Sequence, residues 1–388
     1  MKDATFFHTN HAGWTSWRQD FHMHPELAYQ EHRTSALVAE RLKSFGLDVH
    51  TGYAGTGVVG VLKTGDGPNI GLRADMDALP ILEQTQKPYQ STKQGVMHAC
   101  GHDGHTTMLL AAAQYLAETK AFKGTATFIF QPAEEGAAGA AKMIKDGLFT
   151  NHNVDEVFAL HNWPGLAQGT FSGRVGPQMA GFDTFEITVT GVGGHAAMPH
   201  DCRDGIVAAG HLITALQSVV SRSLDPQAPA VLSVTQIHGG DALNVIPEVV
   251  TLAGCTRYFD KKAQADLKLR LLQICAGIET QFGVRVTVDY KDVYPPTINH
   301  ATSVDTALRV ASTIAGPEHV YDNQNPSMAS EDFAFMLERV PGAYLWLGNG
   351  PVQDFGALHS PQFDFNDAII PTGAAFLARL VEHSCAET

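Results

Sequence analysis

The sequence predicts an α/β fold: a larger layer of alternating strands and helices, interrupted by a smaller α+β module. Three observations carry this reading. The chain has 388 residues, which exceeds one ordinary hydrophobic core and points to about two domains. Short apolar runs alternate with helical patterns through the first part of the chain. Beyond Phe182 the pattern changes to half-exposed strands in the order strand-helix-strand-strand-helix-strand, which is the order of a ferredoxin-like module.

The elements follow in order. Residues from about Trp14 to Phe45 read as helices, interrupted at His24-Pro25 because proline ends a helix before it. The apolar runs Gly57–Leu62, Ile70–Leu72, Thr125–Phe130 and Glu156–Leu160 read as strands. Helical patterns over Asp103–Glu118 and Ala138–Leu148 lie between them. Such alternation gives a largely buried sheet covered by helices. Phe185–Val189 then alternates like a strand with one face exposed. A helix over Gly205–Val220, strands at Ala230–Ile237 and Val249–Thr256, a helix over Lys261–Phe282 and a strand at Val284–Tyr290 complete the insert, which Pro295-Pro296 closes. The apolar run Ala343–Leu347 returns to the larger domain. The expected division is therefore residues 1–181 and 298–388 for the larger domain and 182–297 for the insert.

Composition narrows the function. With 44% apolar and 17% charged residues the chain is expected to be folded rather than disordered. A net charge of −14 without a basic run argues against nucleic acid as a partner. An anionic substrate would need a local Arg. No stretch approaches the roughly 18 to 20 unbroken apolar residues of a membrane span. The N-terminal Met1-Lys2-Asp3-Ala4-Thr5 lacks a basic region followed by an apolar stretch, so no signal peptide is expected. Five scattered cysteines, an odd number, fit reduced thiols and a cytoplasmic location.

Residues suited to metal chemistry gather just after the predicted strands, where open α/β sheets bind their ligands. Cys100-Gly101-His102 places a thiolate and an imidazole two residues apart, and both suit a borderline transition metal. No second Cys pair follows, which excludes a zinc finger. Glu134-Glu135 follows the Thr125–Phe130 run and precedes a glycine-rich turn. One carboxylate of such a pair can ligate a metal while its neighbour works on a water; a solvated acidic pair is the plainer alternative. His161 and His359, taken singly, read more readily as structural hydrogen-bonding residues than as ligands. Asp75 and Asp77 fit as ligands, as carboxylates that orient a metal-bound imidazole, or as helix caps.

Taken together the motifs are specific. Gly71-Leu72-Arg73-Ala74-Asp75-Met76-Asp77-Ala78-Leu79-Pro80, Met97-His98-Ala99-Cys100-Gly101-His102-Asp103-Gly104-His105, Gln131-Pro132-Ala133-Glu134-Glu135-Gly136, Leu160-His161, Gly193-Gly194-His195-Ala196-Ala197-Met198-Pro199-His200 and Ser330-Glu331-Asp332-Phe333 occur in this order along nearly the whole chain. This set resembles the M20 metallopeptidase family, and within it the amidohydrolase branch of hippurate hydrolases, N-acyl-amino-acid aminoacylases and auxin-conjugate hydrolases. The resemblance implies a catalytic α/β/α domain of the zinc-exopeptidase type, with the ferredoxin-like insert as a dimerisation and lid domain.

It also implies two divalent metal ions per subunit, zinc by preference for a thiolate site, with manganese or cobalt as alternatives. Cys100 would bridge them, with His102, Glu135, His161 and His359 completing the ligand set. Glu134 would be the general base, and Asp75 would orient a ligand imidazole. Asp77, Asp103 and His105 read as structural. In the wider family an Asp fills the bridging position and a His precedes the Asp of the first motif; here Cys100 and Arg73 stand there. His195 would stabilise the oxyanion, reaching the active site of the other subunit of a homodimer or larger homo-oligomer; a surface-loop His is the alternative. Arg257 and Asn244 would bind the α-carboxylate of a small N-acyl amino acid, although a strand-end surface charge also accounts for Arg257. The implied reaction is hydrolysis of N-acyl amino acids. Dipeptidase or N-acyl-diaminopimelate deacylase activity on the same centre, and a non-catalytic binding protein with the same fold, are the alternatives.

Overall fold

The apolar runs assemble into one eight-stranded sheet in the computed structural model, which describes residues 2–386. From edge to edge its strands are Asp48–Tyr53, Gly57–Lys63, Thr125–Gln131, Asn69–Asp75, Glu156–Pro164, Gly342–Gly350, Phe171–Ser172 and Val320–Tyr321. The four central strands, Thr125–Gln131 to Gly342–Gly350, run parallel. They are almost wholly buried. Parallel strands covered on both faces read as continuous apolar runs, which is why these were visible in the sequence. The Asp48–Tyr53 strand has a mostly exposed, polar pattern and carries no such signal.

The connections locate a crevice. From Asn69–Asp75 the chain passes through the His102–Thr119 helix to Thr125–Gln131 on one side. It then crosses to Glu156–Pro164 on the other side. The direction of winding reverses between the Asn69–Asp75 and Glu156–Pro164 strands, and a crevice opens at their carboxyl ends. Arg73 pairs with Ala159 in this register, which brings Asp75 and His161 to the same end.

The His102–Thr119 helix is buried on nearly every side, as a helix apolar all round must be. It packs against the Asn69–Asp75 strand, the Lys2–Met23 helix and the C-terminal Ile370–Ser384 helix. Its first turn allows this only because residue 104 is glycine: a Cβ there would lie 2.2 Å from the Phe365 ring. The pattern over Ala138–Leu148 is broken into a helix at Gly139–Lys145 and a single turn at Leu148–Asn151. Gly147, at φ +97, supplies the left-handed residue that separates them.

The chain divides into two compact units. The first comprises the chain up to Gln178, Ile298–Asn325 and the chain from Asp332 onward. The second comprises Met179–Thr297 and Pro326–Glu331. Pro326–Glu331, which the sequence alone groups with the larger domain, joins the second unit through hydrogen bonds from the Ala180 N–H to the carbonyls of Ser327 (3.0 Å) and Ala329 (2.9 Å). In the second unit the antiparallel strands lie in the order Ala230–His238, Val249–Tyr258, Gly181–Thr190, Arg285–Tyr294. Helices Gly205–Ser218 and Lys261–Phe282 pack on this sheet through Leu212, Leu216, Leu267 and Leu271. The strand order is the ferredoxin-like one.

A buried ionic knot joins the first helix to the start of the His102–Thr119 helix. Arg18, 0% exposed, lies 2.6 Å from Asp367, 3.3 Å from Asp364 and 3.6 Å from Asp103. His22 sits between Asp103 (2.7 Å) and Glu83 (3.3 Å). Burial alone would lower the His22 pKa, and the Arg18 charge also opposes its protonation, but hydrogen bonding and charge from Asp103, helped by Glu83, raise it to about 9. The folded protein thus holds a proton that the unfolded chain releases near pH 6.5. We expect the contribution of His22 to stability to be complete below about pH 6.5 and lost as pH rises through about 9, up to about 3 kcal/mol. Denaturant unfolding of wild type and His22→Gln from pH 6 to 10 checks this; equal pH slopes in the two proteins would refute it.

Candidate metal centre

The crevice receives side chains from five segments of the first unit. The Asn69–Asp75 strand delivers Arg73 and Asp75, both buried. The Arg73 guanidinium reaches Asp75 Oδ2 at 2.7 Å, Gln131 Oε1 at 2.8 Å and Asp332 Oδ1 at 3.1 Å. A fixed cation thus neutralises two buried carboxylates.

Between Cys100 and His102 the backbone turns through Gly101 at φ +92, where a Cβ would stand 2.2 Å from the Asn162 side-chain oxygen. Only glycine satisfies both the left-handed turn and the close approach. The turn presents Cys100 on one side and starts the helix with His102 on the other.

Glu134 and Glu135 lie on an irregular turn between two non-glycine left-handed residues, Ala133 (φ 58) and Ala138 (φ 55). Such strain gathers at functional sites. It separates the two carboxylates: Glu134 Oε1 accepts the Asp332 N–H at 3.4 Å, while the Glu135 N–H donates to Asp77 Oδ2 at 3.0 Å.

His161, on the Glu156–Pro164 strand, donates from Nδ1 to the Asn162 carbonyl at 2.7 Å, and its Nε2 lies 3.5 Å from Cys100 Sγ. Burial and the neighbouring His105 and His102 hold its pKa well below the usual histidine value. It is therefore a neutral imidazole with Nε2 toward the thiol. His359 is a further non-glycine residue at positive φ (62). Its N–H donates to the Ala99 carbonyl at 2.8 Å, and its Nε2 lies 3.2 Å from Glu135 Oε1. Its side chain is 52% exposed and forms the open rim.

Among the described residues, ligand atoms of Cys100, Glu135 and His359 fall within 4.8 Å of one another. Those of Asp75, His102, His105 and His161 do so as well, and His102 also groups with Glu134 and Glu135. All five residues expected as ligands thus meet in one place, with Glu134 beside them. His105 is engaged at both ring nitrogens: Nδ1 with Asp75 at 2.6 Å, and Nε2 with the donating Asn162 N–H at 3.0 Å. Asp75 does not make the contact expected of it. The carboxylate at the Nδ1 of His102 is Asp77, at 3.2 Å, whereas Asp75 bonds His105 and Arg73. Asp77 is the residue that sequence reasoning set aside; its spacing of two from Asp75, which repeats one side of an extended chain, was the available signal.

The residues fit divalent cations. Thiolate, imidazole and carboxylate donors are the set that borderline metals select. His102 Nε2 is buried with no hydrogen-bond partner, although burial, which opposes protonation, is outweighed by Asp75, Asp77 and Glu135, and the ring pKa rises to about 10. The pocket is built for positive charge.

The second unit carries the remaining three residues. His195 pairs with Val245 in a two-residue ladder, and the Ala196 N–H donates to the Asn244 carbonyl at 3.0 Å, so His195 and Asn244 are neighbours on an exposed loop pair. Arg257 is half-buried, stacked 4.0 Å over the Phe182 ring. It lies at the far end of the Val249–Tyr258 strand, about 26 Å from the end that follows Asn244, at about 3.3 Å per residue. The unit therefore separates Arg257 from the His195–Asn244 pair.

A parallel-centred α/β sheet with sulfur, nitrogen and oxygen donors converging at its switch point has the form of a catalytic metal centre. Residues 71–383 match the family described as peptidase family M20/M25/M40. The chain is 43% identical to the hippurate hydrolase of Campylobacter jejuni over 364 residues, covering 94% of each chain. It is 37% identical to the N-acetylcysteine deacetylase of Bacillus subtilis, covering 98% of each. The crystal structure of a dinuclear metal-binding peptidase of the M20 family from Bacillus subtilis superposes with a TM-score of 0.85 at 32% identity, covering 97% of this chain and 99% of that one. The chain belongs to peptidase family M20/M25/M40.

Proposed function

We infer that this protein is a metal-dependent amidohydrolase that cleaves the amide bond of N-acyl amino acids with two divalent cations per subunit. The observation that carries this reading is the convergence of Cys100, His102, Glu135, His161 and His359 around an orphaned imidazole nitrogen, with the Glu134 carboxylate alongside. The activities named for the hippurate hydrolase and N-acetylcysteine deacetylase relatives, and the dinuclear centre of the peptidase structure, support the substrate class and the metal count.

Cys100 lies within 4.8 Å of Glu135 and His359 and 3.5 Å from His161, so its thiolate would hold the ions together with ligands on both sides. Cations held there polarise an amide carbonyl and lower the pKa of a water. The thiolate favours zinc or cobalt, while the carboxylate and imidazoles admit manganese. Glu134 takes the proton of the attacking water and returns it to the leaving nitrogen. The Asp332 N–H holds this carboxylate in place. His195 donates to the oxyanion as the carbonyl carbon becomes tetrahedral.

Glu134→Gln is expected to lower kcat about 10²- to 10⁴-fold while the metal content stays at two per subunit. The check is a panel of N-benzoyl, N-acetyl and dipeptide substrates with Zn²⁺, Mn²⁺ or Co²⁺ added. Metal binding without turnover of any substrate by wild type would reject the hydrolase; turnover of dipeptides alone would reject the N-acyl preference.

Arg257 is the half-buried cation that we assign to the substrate α-carboxylate, through a forked charge-assisted bond. Arg257→Ala should raise KM for N-acyl amino acids roughly tenfold or more, with kcat little changed and with simple amides unaffected. Steady-state kinetics on both substrate types decides; an unchanged KM for the N-acyl amino acid would remove Arg257 from the site.

The distance between Arg257 and the His195–Asn244 pair supports a homodimer in which these two functions come from different subunits, because a small substrate cannot touch both ends of one strand. Val192, Ile206, Leu243, Val245 and Val249 are exposed around the same end as His195, an apolar patch of the kind that marks an interface. Leu243, the most exposed of them, is the sensitive position. Leu243→Asp should shift the protein toward monomer in light scattering and lower activity in parallel. A fully active monomer would eliminate the cross-subunit role of His195.

A further inference from the structure

We propose that Tyr29 and Glu31 are positioning residues for Glu134, because together they grip both ends of the turn that carries it. This inference rests on the reading of Glu134 as the general base. The turn enters through Ala133 and leaves through Ala137-Ala138. The Ala133 N–H donates to Glu31 Oε1 at 2.9 Å, and the Ala137 carbonyl accepts the Tyr29 hydroxyl at 2.6 Å. One short segment ahead of the His32–Ser44 helix thus reaches both shoulders of the turn. Ala133 (φ 58), Ala138 (φ 55) and Tyr29 itself (φ 61) all hold left-handed backbone without being glycine. Such conformations are costly and persist only where the surroundings impose them.

Glu31 serves this turn rather than its own helix. It stands just before the first residue of the His32–Ser44 helix, where a polar side chain ordinarily caps the helix N–H groups, yet it makes no such bond. Glu26 does so instead, accepting the Arg33 N–H at 3.0 Å and the Thr34 N–H at 2.9 Å. Glu31 is fully buried, and its partners among the described residues are three neutral donors: the Ala133 N–H, the Tyr29 N–H at 3.0 Å and the Thr56 hydroxyl at 2.7 Å. A buried carboxylate without a cation is a poor stabilising device; here it supplies the acceptor for the N–H next to the proposed base. The Tyr29 ring is fixed in turn by the Lys142 ammonium, 4.7 Å from its centroid. Glu135, the other carboxylate of the turn, is held separately by the bond from its N–H to Asp77. Loss of the clamp therefore displaces Glu134 while the ions stay bound.

Tyr29→Phe deletes one hydroxyl and keeps the ring against Lys142; Glu31→Ala deletes the carboxylate. Each should lower kcat, by up to about 100-fold for a base displaced by about 1 Å, with KM little changed and the metal content at its wild-type level. Glu31→Gln should recover most of the loss, because its amide oxygen accepts both N–H bonds and its NH₂ group meets the Thr56 hydroxyl.

The decisive measurement places Tyr29→Phe and Glu31→Ala on Glu134→Gln. A residue that acts through Glu134 has nothing left to position there, so the residual turnover should not fall further. Steady-state kinetics on N-benzoyl and N-acetyl amino acids, metal analysis and thermal unfolding of each variant supply the readouts. Unchanged kcat, equal loss in both backgrounds, a change confined to KM, or activity restored by added metal would overturn the proposal. Tyr29→Phe carries the test if Glu31→Ala does not fold. A Glu134→Gln enzyme with undiminished kcat would instead reject the base assignment on which the inference stands.

Discussion

The Arg73 guanidinium is the interaction on which the site depends. It stands at the carboxyl end of the Asn69–Asp75 strand, 2% exposed, within hydrogen-bond distance of Asp75, Gln131 and Asp332. An unpaired ion there would cost several kcal/mol. Paired on two sides, it lets two carboxylates sit in the dry interior. One of them, Asp332, donates its N–H to Glu134 and accepts the Ala140 N–H at 2.9 Å, so the same charge also steadies the turn that carries the proposed base. The other, Asp75, anchors His105, whose remaining nitrogen is held by Asn162 next to His161. The acidic crevice is thus framed by one fixed cation that cannot lose its proton.

A second layer of compensation lies behind the first turn of the His102–Thr119 helix. Arg18 and His22 neutralise Asp103, Asp364 and Asp367 from the N-terminal helix. Asp103 is adjacent to His102, so the helix that offers the metal ligand is pinned from below by ions and from above by Asp77. Rigid support of this sort keeps ligand atoms in place before a cation arrives.

Much of this was legible in the sequence. The central strands were, because burial on both faces leaves an unbroken apolar run. The ferredoxin-like order was, because each strand alternates and each helix carries its own apolar stripe. The five ligand candidates were, because Cys100-Gly101-His102 and Glu134-Glu135 follow strands in a motif order shared with a known family. What escaped was set by contacts remote in sequence. Asp77 and Asp75 are chemically alike, and only the fold decides which of them meets His102. Pro326–Glu331 looks like a continuation of the larger domain until the Ala180 N–H claims its carbonyls. The separation of Arg257 from His195 is a matter of strand direction, which no motif records.

His359 has a consequence for how the protein is made. Its backbone N–H is bonded to the Ala99 carbonyl, and its ring faces Glu135, so the last of the proposed ligands to be synthesised closes against the loop that carries the first. A ribosome that has delivered the parallel strands as far as Leu347 has still not delivered the whole of the proposed ligand set. On the proposed ligand set, the growing chain can bury its core before it can hold two ions. Metal capture by that proposed set would therefore follow docking of the segment that carries His359.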